Sequence, residues 1–155
     1  MAEAAEKIAP PHEMAVVRRF ELADLSRHGP WLLQRFGVEF PEVPERTVAG
    51  YLRGLIESPE YMFLYQDNSV ALAQLIHLPG FQVRRAVQEH FVWCEDKADK
   101  RQLEYAADFY VHMAEFARRR DAQTMFVCEK TDVPKHLIEQ RLGRLFDTKT
   151  TFARV

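Results

Sequence analysis

Hydrophobic and polar residues along this chain alternate with two different spacings, and the switches between them mark its elements. MAVVRRF (residues 14–20) reads as a first strand. ELADLSRHGPWLLQRFG (21–37) reads as a helix interrupted at Gly29-Pro30, because proline lacks the N–H that a helix interior uses. A second helix is predicted from about Glu45 to Ile56, with Val48, Tyr51, Leu52 and Leu55 on one face and Pro59 beyond its end. YMFLYQ (61–66) and SVALAQLIHL (69–78) flank Asp67-Asn68, the signature of a tight hairpin turn. Pro79-Gly80 ends that second strand, and QEHFVWCE (88–95) resumes after a loop holding Arg84 and Arg85. A long helix follows over about 98–119. QTMFVCE (123–129) is then a compact apolar strand, VPKHLIEQRLG (133–143) a short helix opening at a proline, and RLFDTKTTFARV (144–155) holds a last strand.

A meander of strands followed by two strand–helix crossovers predicts an α/β (α+β) domain. Its mixed central sheet has about six to seven strands, flanked by about four helices. Residues 1–13 are small and charged and end in Pro10-Pro11, which reads as an N-terminal arm ahead of a single domain over 14–155. At 155 residues and 47% hydrophobic, the chain can bury one sizeable core.

Charge and cysteine narrow the function classes. The net charge is −2, from 21 basic and 23 acidic residues, so nucleic acid is not an expected partner, phosphate contacts needing a positive surface. Cys94 and Cys128 make no disulfide framework and suit a reducing, cytoplasmic setting. The N-terminal residues lack the apolar core of a signal peptide, and no apolar run approaches membrane length, so no membrane association is expected. No His/Cys pair has ligand spacing on one element, so no metal is expected.

The order of elements resembles the GNAT family of acetyl-CoA-dependent N-acetyltransferases over roughly residues 14–155. Local echoes are HFVWC (90–94) before the long helix, AEFARRRDAQTMFV (114–127) from helix to strand, and LIEQRLGRLF (137–146). In that family the motif Q/R-x-x-G-x-G/A sets backbone N–H groups around the pyrophosphate of the cofactor at a helix N-terminus. The usual register falls here on Ala98-Asp99-Lys100-Arg101-Gln102-Leu103, which misses every fixed position. A register from Arg101 to Ala106 recovers the two ends but places Glu104 where the glycine belongs. Lys100 and Arg101 are the candidate cofactor-binding residues by side-chain charge. The bland alternative is a solvated first turn with Asp99 as N-cap.

The resemblance also implies an acid and a base. The acid is often a tyrosine on the last helix, where this chain has Glu139 or Gln140, and no tyrosine follows Tyr110. The base is commonly a carboxylate on the central strands. Glu89 and His90 are the catalytic candidates, with His77 able to face His90 if their strands pair around residues 79–87. A lone histidine on a strand is more often structural.

Wound at about 100° per residue, the long helix has Leu103, Ala107, Tyr110, Ala114 and Ala117 on one stripe. Tyr105, Phe109, His112 and Phe116 fall on a second. Together the apolar arc is about 220° wide, against about 100° for a stripe facing one sheet. Either another part of this chain covers the second stripe, the N-terminal arm or the segment with Trp31, Phe36 and Phe40, or it meets a protein partner or a second copy. Eleven phenylalanines in one small domain favour the interface.

The expectation is therefore a GNAT-fold protein with a degenerate acetyl-CoA motif, serving as a non-catalytic binding or structural component of a larger assembly. No cofactor is then expected. The alternative is a divergent N-acetyltransferase acting on an amine, with acetyl-CoA as its cofactor. First-turn N–H groups blocked by Glu104 and its neighbours, and splayed strands without a cofactor path, would speak for the former.

Overall fold

The computed structural model describes residues 16–78, 84–128, 130–145 and 151–155. The arm expected at residues 1–13 lies outside them. Strands β1 (Arg18–Arg19), β2 (Tyr61–Gln66), β3 (Ser69–Leu78), β4 (Arg84–Cys94), β5 (Thr124–Val127) and β6 (Thr151–Arg154) form one six-stranded sheet in sequence order. Every neighbouring pair is antiparallel except β4 and β5, which run parallel. Helices α1 (Asp24–Glu39) and α2 (Glu45–Glu57) cover one face of the sheet. Helices α3 (Lys100–Ala106), α4 (Asp108–Arg119) and α5 (Lys135–Leu142) cover the other. Counting α3 and α4 as one broken helix, this is the mixed sheet with four flanking helices that the sequence predicts.

Because both faces are covered, two apolar clusters form. Leu32, Phe36, Val48, Leu52 and Leu55 pack with Phe63, Val70, Leu72, Phe91 and Trp93 on the α1–α2 face. Phe109, Tyr110, Met113, Leu137 and Ile138 pack with Met62, Ala71, Val87 and Val92 on the other. Asp67 and Asn68 both take positive φ in the β2–β3 turn (33° and 57°), the mirror-image turn whose twist suits a hairpin.

Several boundaries differ from the sequence reading. β1 is two residues long among those described. α1 runs through Gly29-Pro30 without interruption: Pro30 forfeits one backbone hydrogen bond, while the helix on either side buries His28, Leu32 and Phe36. β4 begins at Arg84, so Arg84 and Arg85 are strand residues paired with Leu78 and His77. The long helix breaks at Ala107. Its two apolar stripes are both covered from within the chain, since α4 packs against β3, β4, β5 and α5.

That cover corrects the interface expectation at two positions. Phe109 is fully buried in the core and Phe116 is 7% exposed, beside Met62 and Leu64 of β2. Neither is open to a partner. Trp31 and Phe36 lie on the opposite side of the sheet and do not supply the cover. Tyr105 and His112 are half-buried.

Candidate functional site

The strand-to-helix turn after β4 engages most of its own amide donors. Asp99 caps α3, its carboxylate accepting from the N–H groups of Arg101 (3.0 Å) and Gln102 (3.4 Å). The Asp96 carboxylate accepts from Ala98 N–H at 3.0 Å, and Asp96 N–H donates to the Gln102 side chain at 3.1 Å. Glu95 N–H donates to the Asn68 carbonyl at 2.9 Å, and Asp99 N–H to the Asp96 carbonyl at 3.1 Å. The amides of Glu95, Asp96, Ala98, Asp99, Arg101 and Gln102 therefore each have a resident acceptor that an anion would have to displace. Lys100 and Arg101, the predicted cofactor residues, are exposed at this turn. Glu104 is not the blocking group. It is exposed and pairs with Arg141 at 3.3 Å, which also holds Asp108 at 2.8 Å.

Beyond the turn, β4 and β5 diverge. They pair only over Ala86–Gln88 and Thr124–Phe126, leaving Glu89 to Cys94 without a β5 neighbour. A diverging parallel pair exposes backbone groups that a ligand chain could engage. Here the segment after β5 takes them instead. Asp132 N–H donates to the Val92 carbonyl at 3.1 Å, and Cys94 N–H donates to the Asp132 carboxylate at 3.0 Å. Arg35 of α1 grips that same carboxylate through two bonds of 2.6 and 2.9 Å, with its guanidinium 4.9 Å from the Trp93 ring centre. Paired forks of this kind are among the stronger charged contacts, and the Asp132 side chain is only 5% exposed.

Glu89 sits at the divergence and is fully enclosed. Its Oε1 accepts from Cys128 N–H at 3.3 Å. The Tyr110 and Thr131 hydroxyls, bonded to each other at 2.7 Å, stand near the carboxyl and partly favour its ionised form. Neither reaches Oε2 in hydrogen-bond geometry. Burial outweighs them and pushes the carboxyl pKa up to about 8, so at neutral pH Glu89 keeps its proton. Tyr110 is pushed well above the usual phenol range, first by burial and then by Glu89.

His90, next in sequence, faces the other way. Leu72 pairs with Phe91 and Ala73 with Glu89, so His90 is the extra residue of a β-bulge. It joins Phe91 in lining a cavity on the α1–α2 face, and its Nε2 lies 2.8 Å from Gln74 Oε1. The sheet therefore separates Glu89 from His90, and the two predicted catalytic residues do not form one site. His77 is paired with Arg85 at the far end of β4 and is remote from the bulge. Glu139 lies on α5 and pairs with Lys135 at 3.9 Å.

The cluster of Glu89, Tyr110, Thr131, Asp132 and Arg35 was not assembled by sequence reasoning beyond Glu89. Its members come from four separate elements, and no local spacing joins them. Only Thr131-Asp132 ahead of Pro134 carries a recognisable cue, and it reads as a helix start.

No protein-family model matches the chain, and no curated protein sequence does. Solved structures do resemble it. A candidate acetyltransferase from Agrobacterium tumefaciens str. C58 superposes with a TM-score of 0.59 at 15% identity, covering 86% of this chain and 95% of that one. An acetyltransferase from Vibrio fischeri gives 0.55 at 11% identity, covering 77% and 98%. Aminoglycoside 6'-acetyltransferase type Ii gives 0.53 at 11% identity, covering 90% and 96%. The chain has the GNAT-like α/β fold of these acetyltransferases.

Proposed function

We propose that this GNAT-fold chain is a non-catalytic binding or structural component of a protein assembly and does not use acetyl-CoA. The observation that carries the reading is the turn after β4. The Ala98, Arg101 and Gln102 amides are bonded to Asp96 and Asp99, and an anion displacing them would face both carboxylates. The contacts of Asp132 with Val92 and Cys94 support it further, since the chain itself occupies the β4 backbone where the strands diverge. The Asp96 and Asp99 carboxylates, with no glycine over residues 95–106, suit the cofactor's pyrophosphate poorly. Of the expected partner surface, Tyr105 and His112 remain at the half-buried margin of the helix, so a partner would meet that margin and not Phe109 or Phe116.

The transferase alternative would use Glu89 as its base, and that carboxyl is enclosed and keeps its proton at neutral pH. Calorimetry with acetyl-CoA separates the two. The assembly reading expects no binding up to about 1 mM, a limit near 4 kcal/mol of affinity. Micromolar binding that Lys100→Ala plus Arg101→Ala abolishes would overturn it.

A further inference from the structure

A groove of about 610 Å³ lies beside the β1 edge of the sheet, between the last turns of α4 and the end of α2. One stripe of α4 forms a wall, since His112, Phe116 and Arg119 recur at the spacing of a helix face. Arg19 of β1 and its ladder partner Leu64 also line it. Met62, Leu64 and Phe116 are each buried, so the floor is apolar but thin and recognition falls to the charged rim.

That rim is unneutralised. Arg19, Arg119 and Arg120 are all exposed. Arg19 donates to the carbonyls of Ile56 and Ser58 at 2.8 and 3.0 Å. Arg120 donates to the Pro59 carbonyl at 3.3 Å, with its guanidinium 5.3 Å from the Phe116 ring centre. These contacts hold two guanidiniums in place and leave their charge uncompensated. Arg119 has no hydrogen-bond or ion-pair partner among the described residues. Glu57 is the one carboxylate among the described walls, and it pairs with none of the three. By contrast, Arg18, Arg35 and Arg141 each hold a carboxylate. A rim of this kind favours an anionic occupant.

The chain itself carries one. The 15 residues ahead of Val16 hold Glu3, Glu6 and Glu13 against a single lysine, Lys7. Val17 packs against the core on the α4 side of the sheet, and Arg19, two residues on, shares that face. The segment therefore leaves the sheet beside the groove. At about 3.3 Å per residue it reaches roughly 50 Å, against about 10 Å of strand from Val16 to Arg19. We propose that residues 1–15 seat in this groove in cis, with their glutamates against Arg19, Arg119 and Arg120. Each exposed pair is weak, but the tether holds the glutamates at about millimolar effective concentration, so several weak contacts suffice. A partner meeting α4 at His112 then has to displace the segment first. The groove shares no residue with the turn after β4 or with the β4–β5 divergence, so the inference stands apart from the acetyl-CoA reading.

Lys7 is the one tryptic site ahead of Arg18, so trypsin cleavage there in the full chain, followed by mass spectrometry, reads how often the segment leaves the groove. Rates are normalised to a free peptide of residues 1–15 under the same conditions. In about 20 mM NaCl the wild-type chain should be cut at least about tenfold more slowly than the peptide, and about 0.5 M NaCl should bring the two within about threefold. Arg119→Glu changes a side chain that holds nothing else and should speed cleavage at least about fivefold. The triple change Glu3→Gln, Glu6→Gln and Glu13→Gln should do the same. Arg46→Glu, an equal change of charge at an exposed position about 15 Å away along α2, should stay within about twofold of wild type. Circular dichroism verifies that each variant is folded. A wild-type chain cut as fast as the peptide overturns the proposal, as does an Arg119→Glu rate equal to wild type. Protection that grows with protein concentration between about 1 and about 100 μM assigns the groove to the arm of a second copy and overturns seating in cis.

Discussion

Replacing Glu89 with glutamine removes a proton-binding group but keeps the side chain's size and the oxygen that accepts from Cys128 N–H. In wild type, burial moves this carboxyl from 4.5 to about 8. Between those values the folded chain holds a proton that the unfolded chain has released. Stability therefore falls as pH rises through the window, by up to about 1.4 kcal/mol per pH unit. Below the unfolded value the contribution is fully present, and above the folded value it is fully lost. Urea unfolding followed by tryptophan fluorescence at about pH 5.5 and about pH 8.5 should give a Glu89→Gln advantage that grows by about 3 kcal/mol between the two. Comparing variant with wild type cancels the opposite trend from His28 and His90. Burial lowers both of their pKa values, so each favours unfolding as pH falls below the usual histidine range. A difference that stays constant across the window would refute the reasoning, for it would mean that Glu89 ionises in the folded state as it does in the unfolded one.

Three other outcomes follow from the same contacts. Asp132→Ala leaves the Arg35 guanidinium without its carboxylate and Cys94 N–H without its acceptor, and should lower unfolding free energy by about 3 kcal/mol in chemical denaturation. A loss below about 1 kcal/mol would mean that water serves as well as the aspartate. Asp99→Ala removes the cap of α3 and should cost about 1 kcal/mol, read in the same assay, whereas Lys100→Ala at the exposed neighbouring position should stay within about 0.5 kcal/mol of wild type. Burial pushes the Cys94 thiol up to about 12, so a Cys128→Ser variant should resist iodoacetamide at about pH 8 until it is unfolded. Rapid alkylation of the native variant would contradict that burial.

The elements legible in the sequence are those that local rules govern. Asp67-Asn68 sets its hairpin because few residue pairs accept two positive φ values in succession. Val48, Leu52 and Leu55 define the buried face of α2 by spacing alone. Asp99 as a cap is equally local. What stayed hidden depends on the other side of a contact. Pro30 continues α1 because the sheet rewards the buried face beyond it, which no helix propensity contains. The bulge at His90 leaves no trace in the alternation, since β4 is buried on both faces and apolar residues occur at either parity. The width of the apolar arc on the long helix was real, but α5 and the sheet share it, so counting aromatic residues pointed to an interface at Phe109 and Phe116 that packing had already filled. Glu89 was identified by residue type, whereas its proton and its separation from His90 are consequences of the fold.

The grip of Arg35 on Asp132 also has a meaning in the order of synthesis. The β2–β3 and β3–β4 hairpins join strands close in sequence, the kind of contact that forms early. Arg35 then waits, its partner 97 residues downstream and untranslated, with the unpaired end of β4 open beside it. Val92, Cys94 and Arg35 cannot acquire this partner until residue 132 has left the exit tunnel. A nascent fragment ending before residue 132 therefore lacks the cover of the β4 edge, and an open strand edge is of the kind chaperones and aggregation both recognise.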